Sequence, residues 1–210
     1  MNNSVNSSPP TCERILEAAE AEFFSKGFAG ARTTSIAEAA GVTHAMLHYY
    51  FRTKKHLFEQ VISTKVALMK EMMLSSLGDT SVPLFERITE CIGRHLDFLA
   101  ANPMLPGFMA KEVLGNPETG PVAIRAIESQ LPAVIASLQQ NIDEYASRGE
   151  CRSVDARALV LDILSLNAMP FLLPALVNIV SGGELSGDFG KFVADRKKEN
   201  IETILRKLRP

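Results

Sequence analysis

Apolar residues recur along most of this chain at three- and four-residue spacing, the period of one helix face, and not in the two-residue alternation of a half-buried strand. Ile15, Ala19 and Phe23 share a face with Leu16 and Phe24 beside them, which predicts a first helix from Thr11 to a stop at Gly27. A second helix follows Arg32-Thr33-Thr34-Ser35, where Ser35 and Glu38 have capping-box spacing, and it ends at Gly41. Thr43 can cap a third, His44 to Phe51, and Arg52-Thr53-Lys54-Lys55 opens a longer fourth that runs to Leu77. Beyond Gly78 to Ser81, proline and glycine divide the chain into Pro83 to Ala101, Pro103 to Leu114, Pro121 to Arg148 with a possible split at Pro132, Val154 to Ser181, and Glu184 to Leu208. Pro170 and Pro174 remove backbone donors inside the Val154 to Ser181 segment, so a kink is expected there. The predicted fold is all-α. A tail over 1–10 leads into a small three-helix domain over 11–57 and a larger helical domain over 58–210, with the fourth helix bridging the two.

Composition narrows the class. Apolar residues make up 46% of the 210 positions and charged ones 22%, so the chain can bury a core and is not disordered throughout. Cys12, Cys91 and Cys151 are odd in number and lack CxxC spacing, which points to reduced thiols in the cytoplasm, with no disulfide framework and no zinc. Met1 to Pro10 has neither the basic nor the apolar region of a signal peptide and reads as a disordered tail. The most apolar stretch, Ala158 to Val180, is interrupted by Asp162, Asn167 and Asn178 and by two prolines, so no membrane span is expected. No HExxH, GxSxG, P-loop or GxGxxG pattern occurs. Neither an enzyme nor a cofactor or metal site is therefore expected.

The net charge of −2 excludes a general polycation, but a local window differs. Between Arg32 and Leu57 there are four basic residues (Arg32, Arg52, Lys54, Lys55) against Glu38, and three of the four histidines (His44, His48, His56) fall in the same stretch. Two short helices joined through Gly41-Val42-Thr43 match the helix-turn-helix plan, in which the second helix enters the major groove. Ile36, Ala37, Ala40, Val42 and Leu47 are the core of such a unit. The basic residues around them form an electrostatic footprint for nucleic acid, which argues against a pure protein-interaction module.

At these positions the sequence closely resembles the TetR family of bacterial transcription regulators. The match comprises Ile36-Ala37-x-x-Ala40-Gly41-Val42-Thr43, then Leu47, Tyr50-Phe51, Lys54 and Leu57, and it covers roughly Thr11 to Ile62. Ala45 stands where the family often has Gly, and His48 where it usually has Tyr. The Thr or Ser that commonly opens the second helix is displaced by Ala31-Arg32. The resemblance implies that Thr33, Thr34, Thr43, Tyr50 and Lys54 bind phosphates of double-stranded operator DNA, helped by Arg32 and Lys55. It assigns base reading to His44, Ala45, Met46, His48 and Tyr49 at the start of the third helix, although a partly buried Tyr49 fits as well. His56 reads as a solvated helix residue.

The resemblance also implies that the larger domain senses a small ligand and forms a homodimer. Its expected pocket wall is Phe98, Leu99, Met104, Phe108 and Met109, joined by Met169, Phe171 and Leu172, because Met and Phe adapt to apolar ligands. His95 and Glu112, lone polar groups on apolar stretches, are candidate orienting contacts, and each is equally readable as a satisfied core residue. Leu159, Leu166, Leu173, Leu176 and Val180, with Ile201, Ile204 and Leu205 on the last helix, are the expected dimer seam. The resulting expectation is a cytoplasmic repressor released from its operator by a small, largely apolar effector. The alternative is a DNA-binding architectural protein of the same fold without an inducer, and a cavity or a solid core in the larger domain discriminates the two.

Overall fold

A computed structural model describes residues 10–210; the expected tail over 1–9 lies outside the described residues. Among the described residues there are twelve helices and no strand. The first four are α1 (Thr11–Gly30), α2 (Thr33–Ala39), α3 (His44–Phe51) and α4 (Lys54–Gly78). The larger part comprises α5 (Leu84–Ala101), α6 (Leu105–Leu114), α7 (Gly120–Glu128), α8 (Leu131–Ser147) and α9 (Ala156–Leu172). It closes with α10 (Pro174–Val180), α11 (Glu184–Gly187) and α12 (Phe189–Leu208).

Several boundaries follow directly from local chemistry. Gly27 takes φ +70° and interrupts α1 where a stop was expected, after which one turn carries the chain to Gly30. The conformation favours glycine, and the space is tight, since a Cβ there would lie 3.1 Å from Glu112 Oε1. Gly41, at φ +64°, makes the turn between α2 and α3. Thr43 Oγ1 caps α3 by accepting from the Met46 N–H at 3.2 Å, and Thr53 Oγ1 caps α4 by accepting from the His56 N–H at 3.0 Å. Pro132 lies in the first turn of α8, and the expected split in that segment falls just before it.

Three expectations need correction or refinement. The second helix starts at Thr33 with Arg32 at its N-cap and no side-chain cap, so the Ser35–Glu38 capping box does not form. The Val154 to Ser181 segment bends as expected but at only one of its two prolines: Pro170 sits buried inside α9, the break comes at Leu173, and α10 leaves α9 at 94° from Pro174. The last segment divides at Asp188, whose side chain caps α12 by accepting from the Lys191 N–H at 2.9 Å.

Ile15, Phe23, Ile36, Leu47, Leu57 and Phe58 form the N-terminal core, which continues without a gap into Leu105 and Phe108 of α6 and Val122 and Ala123 of α7. A second core joins the C-terminal half of α4 to α5, α8, α9 and α12 through residues such as Leu77, Ile88, Ile92, Leu138, Ile163 and Ile204. The 25-residue α4, about 37 Å long at the helical rise, belongs to both. Arg87 of α5 is 2% exposed, and among the described residues no carboxylate pairs with it. Its Nη1 donates to the Leu77 carbonyl at 2.8 Å and to Asn141 Oδ1 at 2.6 Å. A buried cation is tolerable there because it meets the negative C-terminal end of the α4 dipole.

Candidate functional site

The surface of α3 is built by exclusion. Only Leu47 and Phe51 turn into the core, which leaves His44, Ala45, Met46, His48, Tyr49 and Tyr50 exposed along one short helix. Tyr49 is 81% exposed, so the partly buried alternative for it does not apply. Thr33 Oγ1 and His44 Nε2 lie 3.0 Å apart, joining the starts of α2 and α3. The His44 and His48 rings meet edge to face at 4.4 Å. His48 Nδ1 lies 3.1 Å from the Arg52 carbonyl, which can only accept. In the neutral ring Nδ1 therefore carries the proton, and Nε2 is an acceptor suited to the exocyclic amine of adenine or cytosine.

Arg52, Lys55 and Thr34 are exposed around this helix. Lys54 is different. Its Nζ donates to the Ala31 carbonyl at 3.0 Å and lies 4.6 Å from the centroid of the Phe28 ring, so it ties the start of α4 to the turn between α1 and α2.

Behind this unit lies an almost wholly apolar cavity of about 310 Å³ between α4, α5, α6, α7, α8 and α9. Of the expected wall residues, His95, Leu99, Met109 and Leu172 line it. The others do not. Phe108 is buried against Phe24 and Phe58, Phe171 packs on Leu96, Leu99 and Phe192, and Phe98 joins the core on both sides. Met104 is 63% exposed and Met169 41% exposed, each on the outside. Sequence reasoning placed them in the wall because it could identify apolar segments but not which face each turns inward. The wall residues it missed, Val66, Met69 and Met73 of α4 and Leu131 and Val134 of α8, carry no signal that separates them from ordinary core.

Glu112 also faces away from the cavity. Oε1 accepts from the Phe28 N–H at 3.0 Å, and Oε2 accepts from Thr119 Oγ1 at 2.6 Å and Asn116 Nδ2 at 2.9 Å. It fastens α6 to the Gly27 turn of α1. His95, 1% exposed, is held from behind by Asn167, whose Nδ2 lies 3.0 Å from His95 Nδ1. Burial pushes its pKa down from 6.5 to about 4, so the ring is neutral. Asn167 was visible in the sequence as a polar interruption of an apolar run, but its partner was not.

The expected seam separates in the same way. Leu173, Leu176 and Val180 are exposed, and Leu161, Ile179 and Phe189 are further exposed apolar residues. Leu159, Ile204 and Leu205 are buried within the chain itself, and Leu166 and Ile201 are half-buried against that core. Among the described residues no single helix is long and apolar enough to cross a membrane; the bent α9–α10 pair passes on length and composition alone. Cys12, Cys91 and Cys151 are free thiols, and burial pushes Cys91 up to about 12.

Residues 15–61 match the family model of bacterial regulatory proteins of the tetR family. Over these residues the chain carries the N-terminal domain of that family. It is 26% identical over 172 residues to the probable HTH-type transcriptional regulator YttP of Bacillus subtilis, covering 81% of each chain. It is 37% identical over 95 residues, 45% of each chain, to the HTH-type transcriptional repressor SCO4008 of Streptomyces coelicolor. Among solved structures, the transcriptional regulator FadR of Bacillus subtilis in complex with stearoyl-CoA shares its fold, with TM-score 0.68 and 18% identity over 93% of this chain and 98% of that one. The chain thus presents an exposed α3 and, apart from it, an apolar cavity whose wall includes residues of α6.

Proposed function

We propose that this protein is a cytoplasmic transcriptional repressor that binds operator DNA as a homodimer and is released when a small, largely apolar effector fills the cavity. The observation that carries this reading is the double duty of α6. Leu105, Pro106, Met109 and Ala110 line the cavity, while Phe108 and Glu112 of the same helix grip α1 at the Gly27 turn. A ligand that displaces α6 must strain or move the unit that carries α3, and that differential contact is what coupling between two sites requires. A solid larger domain would have favoured an architectural role; an apolar space within the size range of small-molecule sites supports sensing. A repressor among the relatives and a fold relative solved with an acyl thioester point the same way.

Thr43, Tyr50, Thr33, Thr34 and Lys55 then hold phosphates, and His44, Ala45, Met46, His48 and Tyr49 read base edges. Lys54 contributes first to the frame that presents them. Two copies pair through Leu173, Leu176, Ile179 and Val180 of α10 and its surroundings, which sets the spacing of the two reading helices.

The test is selection of bound duplexes from a random DNA pool, followed by anisotropy titration of the recovered site. Recovery of an inverted repeat bound by a dimer is expected. Failure to enrich any sequence overturns the DNA-binding reading, and a monomer that binds one half-site at full affinity overturns the paired one.

A further inference from the structure

The cavity wall contains one polar group whose hydrogen-bond direction is fixed from a distance. Arg196 of α12 can only donate, and its Nη2 donates to Asn200 Oδ1 at 2.6 Å. The Asn200 amide is thereby oriented so that its Nδ2 donates to Asn167 Oδ1 at 2.9 Å. At the other end the Ile92 carbonyl can only accept, and it takes one proton of Asn167 Nδ2 at 3.1 Å. The second proton of that Nδ2 points to His95 Nδ1 at 3.0 Å. Both ends of the relay agree, so Nδ1 must be the bare, accepting nitrogen of the ring, and the single proton of neutral His95 sits on Nε2. That N–H has no protein partner among the described residues, on a ring that is 1% exposed and lines a largely apolar space whose other polar side chains are Lys65, Lys70 and Gln130.

We infer that His95 is the specificity-determining contact of this cavity, and that the effector is an uncharged apolar molecule carrying a hydrogen-bond acceptor, such as a carbonyl oxygen, placed to receive the His95 Nε2–H. The inference rests on the reading of the cavity as an effector site and deepens it. An unmet buried donor is costly, so a ligand that supplies an acceptor gains over an isostere that does not. A charged carboxylate is disfavoured because the two cations on the wall are already paired, Lys65 with Glu20 at 2.7 Å and Lys70 with Glu71 at 3.0 Å. The relay also explains why two polar residues, one on α9 and one on α12, are spent inside the protein. Asn167 and Asn200 are both fully enclosed and serve to orient one imidazole.

Two measurements on the full chain test this. Long-range proton–nitrogen correlation of ¹⁵N-histidine-labelled protein at pH 7 reports the tautomer directly; Nε2 protonated and Nδ1 bare is expected, and the opposite tautomer overturns the inference whatever binds. Calorimetric titration then compares three probes of one skeleton, butylbenzene, butyrophenone and 4-phenylbutyrate. Wild type should bind butyrophenone about tenfold tighter than butylbenzene, with phenylbutyrate weakest. His95→Phe should equalise the first two, and His95→Gln, which retains a donor, should restore part of the preference and serves as the folded control if the Phe variant is unstable. Equal binding of ketone and hydrocarbon by wild type, or tightest binding of the carboxylate, overturns the inference and leaves the effector cavity standing. No binding of any probe by folded wild type overturns both.

Discussion

The reading helix and the cavity are built on opposite plans. On α3 two residues of eight are buried, and chemistry is displayed by leaving side chains outside; in the cavity most groups are apolar, and the buried imidazole of His95 is joined only by Lys65, Lys70 and Gln130 as polar side chains of the wall. The reading surface is assembled from residues within about two turns of one helix, so its geometry follows from local spacing. The cavity takes its wall from six helices spread between Lys65 and Leu172, and the orientation of its buried imidazole is set from Arg196. A local surface tolerates change at single positions, whereas an internal one depends on partners remote in sequence. The two are joined at the Gly27 turn, where Glu112 holds the Phe28 N–H and Lys54 holds the Ala31 carbonyl.

Breaking the pairing of copies should have the largest effect. Leu176→Glu places a charge on the exposed apolar face of α10, and the expected result is a folded monomer by sedimentation whose operator affinity falls by at least about a hundredfold as avidity is lost. A dimer that survives this change locates the seam elsewhere.

Glu112→Ala tests the joint. It strands the Phe28 N–H and the Thr119 hydroxyl in a buried setting, and urea unfolding should show a loss of about 3 kcal/mol. Glu112→Gln should lose less and should weaken communication between cavity and DNA more than either binding event alone. An alanine variant with wild-type stability would show that the two plans are not joined there.

The enclosed site also has a pH signature. His95 binds its proton with pKa about 4 when folded and near 6.5 when unfolded, so below pH 6.5 the unfolded chain takes up the proton first. Stability therefore falls as pH drops from 6.5 toward 4, by about 3 kcal/mol in total, and the loss levels off below that. The difference between wild type and His95→Phe across this range isolates the contribution; identical pH profiles would mean that the imidazole is not enclosed in solution.

The open surface should respond more mildly and selectively. His48→Ala is expected to relax preference at one base pair at a cost of about 1–3 kcal/mol, read by competition between site variants. Lys55→Ala should weaken specific and random DNA alike and lower the salt slope by about one unit. A sequence-dependent loss in the lysine variant would mean that phosphate and base contacts are not divided as assigned.

By itself the sequence determined the all-α class, the positions of α3, α4 and α5 to within about two residues, and the cap at Thr43. These depend on hydrogen bonds and apolar repeats within a few positions of one another, and Gly27 and Gly41 announce their turns because other residues avoid positive φ. Local chemistry also predicted a break near Pro170 and Pro174 but not which proline makes it, since a buried proline in α9 is held in line by the helices packed around it. Only the tertiary structure decided that Glu112 serves as a strut and His95 as a donor, although both had looked alike as lone polar groups. Their partners lie 84 and 72 residues away in the chain. It alone separated Leu176, which faces out, from Ile204, which faces in, because a side chain's fate on an apolar helix depends on which neighbouring helix covers it, and no periodicity along one segment encodes the position of another.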